Sequence, residues 1–165
     1  MHIKGIVAED FTNYKKPSMF IITCYCDFKC CTEQNVDVGV CQNAPLAQAE
    51  IKNIPVASIY EQYVNNPITK AIVLGGMEPM AQIEEIDGLI WYFRRRNVND
   101  PFIIYTGYYP DEIKEPLDKL RKYDNIIIKY GRFLLNKPSR YDEVLGITLA
   151  SDNQFAEVLC LLRLD

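Results

Sequence analysis

Short apolar runs alternate with amphipathic stretches along this chain of 165 residues, and this alternation restricts the possible folds more than any other feature. Strands that are separated by helices pair in parallel through right-handed crossovers. The sequence therefore predicts an α/β fold with a parallel sheet. No repeat, low-complexity tract or long linker divides the chain, and its length fits one hydrophobic core, so a single domain over residues 1–165 is expected.

Strands are predicted where apolar runs are bounded by turn residues, namely over 3–8, 19–23, 71–74, 102–105, 125–129 and, as the last of the set, 144–149. Helices are predicted over 55–64, over 81–97 and after Asp111, which is a suitable N-cap. Residues 24–45 have no clear periodicity and are expected to form a long loop, which is typical of a functional segment. The pattern from Phe155 onward is ambiguous.

Cysteine is concentrated in this predicted loop. Five of the six cysteines lie there: Cys24, Cys26, Cys30, Cys31 and Cys41. Thiolates gathered on one loop suit the irons of an iron–sulfur cluster. A tetrahedral zinc site and simple burial of small apolar side chains are the alternatives. The sixth cysteine, Cys160, belongs to an apolar run over 158–162 and is expected to lie in the core.

Three further motifs also follow predicted strands: Gly75-Gly76-Met77-Glu78-Pro79, Tyr105-Thr106-Gly107 and Gly131-Arg132. Ligands of parallel sheets gather beyond the carboxyl ends of the strands, so these segments and the cysteine loop are expected to form one site. Two glycines at a strand end let the backbone approach a ligand, and a nearby carboxylate can bind an ammonium group. Each motif taken alone is also an ordinary strand-ending turn.

The composition argues against several classes of function. The formal net charge of -4 gives no general attraction to nucleic acid, and no apolar run approaches the ~20 residues of a membrane span. No signal peptide is recognised, so a cytoplasmic protein is expected. His2 is the only histidine, which argues against Ser-His-Asp and Cys-His catalysis, and no phosphate-loop motif is present.

A familiar set of motifs occurs here in order. Cys26 and Cys30 have the C-x-x-x-C spacing, Cys41 precedes Gln42-Asn43-Ala44-Pro45, and the Gly-Gly motif closes the next predicted strand. Weaker similarity extends over 10–14, 105–108, 129–133 and 151–154. Together these residues resemble the radical S-adenosylmethionine (SAM) superfamily and, within it, the activating proteins of anaerobic ribonucleoside-triphosphate reductases.

The resemblance implies an incomplete parallel β/α barrel of the radical SAM type. Three cysteines would hold a [4Fe–4S] cluster, and the fourth iron would bind the amino and carboxylate groups of SAM. Reductive cleavage of SAM would then release a 5'-deoxyadenosyl radical, with no catalytic residue beyond the cluster ligands. The residues expected to line the SAM pocket are Gly75, Gly76, Glu78, Tyr105, Thr106, Gly107 and Arg132. Asn153 and Gln154 are expected to contact SAM or a partner protein.

The chain departs from the superfamily pattern at the third ligand. That cysteine would fall at position 33, where this sequence has Glu33, and the motif after Cys41 assigns the role to Cys41. The expected metal ligands are therefore Cys26, Cys30 and Cys41, with Cys24 and Cys31 as competitors. Met77 also separates the glycines from the acid, and Glu78 is the residue expected to meet the SAM amine.

The resemblance further implies a target and partners. The radical would abstract hydrogen from the Cα of one glycine in the large subunit of an anaerobic ribonucleotide reductase. A flavodoxin-like protein would supply electrons. Two alternatives stay open: the same chemistry on another protein, peptide or small molecule, and a metal-binding or redox-sensing module without SAM chemistry.

Overall fold

A computed structural model describes residues 1–160 and shows a mixed α/β fold with a mostly parallel central sheet. The strands are β1 (His2–Ile3), β2 (Gly5–Asp10), β3 (Ser18–Ile22), β4 (Lys52–Asn53), β5 (Ile72–Gly75), β6 (Phe102–Tyr105), β7 (Ile126–Tyr130), β8 (Arg140–Asp142), β9 (Ile147–Leu149) and β10 (Phe155–Val158). The helices are α1 (Lys29–Thr32), α2 (Ala44–Gln48), α3 (Val56–Val64), α4 (Ile83–Arg94) and α5 (Lys114–Leu120).

The central sheet has the strand order β10-β7-β6-β5-β3-β2. Its four middle strands are parallel, whereas β2 and β10 pair antiparallel at the two edges. The predictions of strands over 19–23, 71–74, 102–105 and 125–129 are confirmed to within a residue or two, and these strands are the parallel ones. Such strands are apolar throughout because both faces of the sheet are covered.

The two faces of the sheet are covered differently. Helices α3, α4 and α5 pack against one face and form the larger core, in which Phe93 and Phe102 meet edge to face at 5.4 Å. The other face carries a smaller apolar cluster that includes Tyr14, Leu145 and Leu149. A hairpin of β8 and β9 therefore lies over the sheet on the side away from the helices.

The expectation that 144–149 continues the strand set is wrong. Residues Ile147–Leu149 pair only with Arg140–Asp142, in a separate two-stranded sheet. Gly146 adopts a φ of 71°, and its amide donates to the carbonyl of Asp142 at 2.8 Å, so the chain turns back before it reaches the sheet. The last strand of the central sheet comes instead from the ambiguous tail, as β10 beside β7.

The predicted helices are confirmed, but two of their starting points are corrected. A 3₁₀ turn over Pro79–Gln82 precedes α4, which begins at Ile83 rather than at residue 81. Asp111 is not the N-cap of α5, because Pro110–Glu112 forms another 3₁₀ turn and Ile113 occupies the capping position. It is the Glu112 carboxylate that accepts the hydrogen bond from the amide of Tyr109, at 2.8 Å.

Two segments differ from the prediction: the expected long loop over 24–45 contains short helical turns, and Cys160 is not in the core. Helix α1 and a 3₁₀ turn over Val38–Val40 lie within 24–45, and α2 begins at its end and continues to Gln48. Cys160 is exposed, contrary to the expectation from its apolar run. Leu159 still donates to the carbonyl of Ile126, so the chain stays extended and consecutive side chains alternate: Leu159 points inward and Cys160 outward. Residues 161 and 162 of that run lie outside the described residues.

Within residues 1–160, no helix combines the length and the apolar character that a membrane span requires.

Candidate functional site

A cavity of about 460 Å³ opens at the carboxyl ends of the parallel strands. This volume is within the usual range for small-molecule sites. Its walls contain most of the residues that the sequence predicted for a site, namely Cys26, Cys30, Cys41, Gly76, Glu78, Tyr105, Thr106, Gly107 and Arg132. The topology therefore brings together segments that are more than a hundred residues apart in sequence.

Gly75 is the predicted pocket residue that does not line the cavity. A Cβ atom on Gly75 would come within 3.1 Å of the Tyr105 Cβ, so this glycine allows two neighbouring strands to pack closely. Gly76 has a φ of 81°, and a Cβ atom there would come within 2.8 Å of the Ile22 side chain. Position 76 therefore favours glycine because of its backbone conformation, whereas a side chain at position 75 would crowd Tyr105, and only Gly76 borders the cavity.

The cysteines approach the cavity from three parts of their loop. Cys26 follows β3, Cys30 lies on α1, and Cys41 follows the 3₁₀ turn. Cys31 also lines the cavity, and its sulfur is 3.8 Å from the sulfur of Cys30. Cys24 is buried outside the cavity wall, where its backbone amide donates to the Gln82 side chain at 2.8 Å. Of the two competing thiols, only Cys31 therefore shares the cavity with the three expected ligands.

Burial favours the protonated form of two of the cavity thiols, Cys26 and Cys30. It raises the pKa of Cys26 to about 11 and, together with the hydrogen bond to Cys31, raises the pKa of Cys30 to about 12. A metal must displace such protons when it binds. In residues 1–160, no three cysteine, histidine, aspartate or glutamate side chains form a ready-made metal-binding group. The structure thus shows a shared cavity wall of thiols, whose chemistry suits an iron–sulfur cluster.

Glu78 connects two of the motifs at the cavity. Its carboxylate is buried and accepts hydrogen bonds from the Thr106 hydroxyl at 2.7 Å, the Gly107 amide at 2.8 Å and the Met80 amide at 3.0 Å. Burial raises the pKa of Glu78, and these three hydrogen bonds counteract the shift. Since the oxygen facing Gly107 has one protein donor, it can still accept from a ligand ammonium group.

Arg132 lies at the cavity but is already engaged by protein groups. Its guanidinium is almost fully buried, pairs with Glu33 at 2.8 Å and with Glu112, and donates to the carbonyl of Gly107 at 3.4 Å. The hydrogen bond from Arg132 lowers the pKa of Glu112 to about 2. Lys29 on α1 pairs with the same two acids. These ion pairs connect α1, which carries Cys30, to the segment that follows β7. Glu33, which stands where the superfamily pattern has its third cysteine, is one of the paired acids.

Lys129 is a cavity residue that the sequence analysis did not single out. It is 6% exposed, and its ammonium group donates to the carbonyl of Gly131 at 2.8 Å. Burial lowers the pKa of Lys129 to about 8, although Glu78 and Cys30 favour the protonated form. The available signal was a lone charge in the apolar run Ile126-Ile127-Ile128-Lys129-Tyr130.

Other cavity residues come from outside the three strand-end motifs and the cysteine loop, and some belong to the weaker similarity over 10–14 and 151–154. The β2–β3 turn contributes Thr12 and Asn13, and the Tyr105 hydroxyl donates to the carbonyl of Asn13 at 2.5 Å. The hairpin contributes residues 147–150. Gln154 lines the cavity, whereas the Asn153 amide donates to the Tyr109 hydroxyl and to the carbonyl of Arg132.

These environments predict different reactivities for the thiols of the reduced, cluster-free protein. Only a thiolate attacks an alkylating reagent, so the raised pKa values should slow Cys26 and Cys30, while exposed Cys160 should react first. We expect at least a roughly tenfold difference in rate at pH 8. Iodoacetamide labelling followed by peptide mass spectrometry measures it. Equal rates in the folded protein would contradict the burial argument, and equal rates are expected only after unfolding in denaturant.

Comparison with known proteins bears on the cluster. The family model described as "4Fe-4S single cluster domain" matches residues 16–154. The matched segment contains all five loop cysteines and all four parallel strands of the sheet. No curated protein and no solved structure matches the chain.

Proposed function

The chain belongs to the 4Fe-4S single cluster domain family, and from this premise we propose that it is a radical SAM activating enzyme. Its target would be the large glycyl radical subunit of an anaerobic ribonucleoside-triphosphate reductase. Membership of this family establishes an iron–sulfur cluster domain. The use of SAM, the glycyl radical and the reductase partner are our proposal.

One observation supports this proposal: the three cysteines expected as ligands, Gly76 and Glu78 border the same cavity at the carboxyl ends of parallel strands. Cysteine thiolates are the usual ligands of an iron–sulfur cluster. A buried carboxylate such as Glu78 can bind the ammonium group of an amino-acid moiety. The parallel strands with antiparallel strands at both edges are compatible with an incomplete barrel.

The residues that border the cavity have different proposed roles. Cys26, Cys30 and Cys41 would hold three irons, which leaves the fourth iron without a protein ligand. When bound, the cluster supplies the single electron that reductive cleavage of SAM requires. Glu78 accepts hydrogen bonds from the ammonium group of SAM, and apolar hairpin residues such as Ile147 and Leu149 exclude water from the cavity.

The cavity rim supports a protein as the target. Val40 and Phe133 both line the cavity, and each remains at least 40% exposed. An open apolar rim would let a backbone loop of the large reductase subunit approach the site. A flavodoxin-like protein is the proposed electron donor.

Anaerobic reconstitution with iron and sulfide tests the proposal. We expect the reduced protein to change its electron paramagnetic resonance (EPR) spectrum when SAM is added, and to release 5'-deoxyadenosine with dithionite. Incubation with the large reductase subunit should then produce a glycyl radical signal on that subunit. A sample without dithionite is the control.

The possible outcomes separate the alternatives. Release of 5'-deoxyadenosine without a glycyl radical would indicate radical SAM chemistry on another protein, peptide or small molecule. A protein that assembles its cluster but neither responds to SAM nor cleaves it would be a redox-sensing module, and the proposal would be wrong.

A further inference from the structure

Helix α1 needs support from other parts of the chain, because it is too short to be stable alone. It has four residues, Lys29–Thr32, and isolated helices of this length do not persist in water. Phe28 before it and Asn35 after it have φ angles of 53° and 52°. A bulky residue such as Phe28 rarely adopts this left-handed conformation, and surrounding contacts must hold it there. Since α1 carries Cys30, the position of this expected cluster ligand depends on contacts from outside the helix.

Gln34 makes the most direct of these contacts. Its side-chain nitrogen donates to the carbonyl of Cys30 at 2.6 Å and to the carbonyl of Phe133 at 2.9 Å. Its side-chain oxygen accepts from the backbone amide of Leu135 at 2.9 Å. An amide side chain has two donor hydrogens and one acceptor oxygen, and all of them take part. One side chain thus joins α1 to the segment 133–135, which lies 99 to 101 residues further along the chain.

The neighbouring ion pairs are less suited to fixing the helix. Glu33 also reaches Arg132, at 2.8 Å, but the Glu33 side chain is 48% exposed. Exposed ion pairs are screened by salt and contribute little. These pairs also share partners, since Arg132 and Lys29 both contact Glu33 and Glu112. The three hydrogen bonds of Gln34 are directional, uncharged and end on backbone atoms, so they define one geometry that salt does not screen.

We propose that Gln34 is a positioning residue for cluster ligation: it holds α1 against segment 133–135 and so places the Cys30 sulfur at the cavity. Gln34, Phe133 and Leu135 themselves line the cavity, so this connection lies beside the thiol. The inference rests on the assignment of Cys30 as a ligand, which belongs to the proposed function. It requires neither SAM nor a reductase, and it should hold whatever the target is.

The test compares Gln34→Met and Gln34→Glu in the full chain. Methionine removes all three hydrogen bonds, whereas glutamate keeps the acceptor for Leu135 but cannot donate to the two carbonyls. The reduced, cluster-free protein is labelled with iodoacetamide, and peptide fragmentation locates the labelled thiols. We expect Cys30 to react roughly tenfold faster in both variants, because two donated hydrogen bonds are lost and α1 opens more often, while Cys26 keeps its wild-type rate. Gln62→Met, at an exposed position on α3, is the matched control and should change neither rate.

Two further measurements separate positioning from general stabilisation and from the ion pairs. In the reconstituted protein, both Gln34 variants should lose iron or change the EPR spectrum of the reduced cluster, whereas Gln62→Met should match the wild type. Raising the salt to about 1 M should change the wild-type labelling rate of Cys30 by less than about twofold, since the hydrogen bonds are not screened.

Equal acceleration of Cys26 and Cys30 would mean that Gln34 stabilises the whole fold, and the inference would be wrong. Wild-type labelling and a wild-type EPR spectrum in both variants would also overturn it. A salt effect on Cys30 as large as that of Gln34→Met would assign the role to the ion pairs instead. If neither variant folds by circular dichroism, Gln34 is a general structural residue and the inference fails. None of these results affects the proposed function, which depends on the response of the cluster to SAM.

Discussion

Replacement of Cys41 by alanine is expected to abolish most of the iron–sulfur absorbance of the reconstituted protein. Each cluster iron that binds the protein needs a thiolate, and the three thiols expected to provide one all line the cavity. Cys26→Ala and Cys30→Ala should have the same effect. Iron and sulfide content per chain, measured with the visible absorption spectrum after anaerobic reconstitution, gives the result.

Cys24→Ala is the matched control, because Cys24 belongs to the same loop and is buried but does not line the cavity. It should retain a full cluster. Normal iron content in Cys41→Ala would show that the ligand assignment is wrong. Cys31 would then be the replacement to test, since it shares the cavity wall with Cys30.

Replacement of Glu78 by alanine is expected to destabilise the protein by about 2–4 kcal/mol and to weaken SAM binding at least roughly tenfold. The variant removes the acceptor for a hydroxyl and two backbone amides, which are the donors on Thr106, Gly107 and Met80. Unpaired buried donors are costly, and the loop around Glu78 would lose its connection to the strand-ending turn of β6. Chemical denaturation measures the free energy of unfolding, and dialysis measures SAM binding.

The pH dependence gives an independent check on Glu78. Burial raises its pKa in the folded state, so the folded protein binds the proton more tightly than the unfolded chain. The stability that Glu78 contributes is therefore fully present below the ordinary value of 4.5 and decreases as the pH rises through the raised pKa. The stability difference between the wild type and Glu78→Ala should grow as the pH falls toward 4.5.

Glu84→Ala is the control for this pair of experiments. Glu84 lies six residues further on, is mostly exposed, and pairs with Lys119 on the surface. Surface ion pairs contribute little, so its removal should change the stability by less than about 1 kcal/mol and leave SAM binding intact. An equal loss in both variants would mean that the Glu78 hydrogen bonds do not carry the effect.

The central strands were predictable because their signal is local. Residues 71–74 and 102–105 are continuous apolar runs bounded by turn residues, and both became buried parallel strands. The spacing of three and four residues between Ile86, Ile90 and Phe93 likewise indicates the helix that was predicted over 81–97, although α4 begins at Ile83 and ends at Arg94. In each case the periodicity of one segment was enough, since burial on both faces of a strand or on one face of a helix is visible in the sequence itself.

The wrong predictions concern segments whose own residue pattern does not identify the groups they pair with. Residues 147–149 have a strand pattern, but nothing in that pattern says whether they join the sheet or pair with β8. Cys160 is surrounded by apolar neighbours, and only the pairing of Leu159 with β7 places the thiol outside. The N-cap assigned to Asp111 failed because the preceding proline began a separate 3₁₀ turn.

The sequence by itself determined the α/β class, the four parallel strands and the convergence of the cysteine loop and Gly-Gly motif at one edge of the sheet. These follow from local periodicity and from the single direction in which parallel strands run. The tertiary structure alone decided that two acids engage Arg132, that Lys129 borders the cavity, and that Cys31 lies there while Cys24 does not. The reason is physical: the environment of a charge or thiol is set by groups from distant segments, and their approach depends on how the whole chain packs.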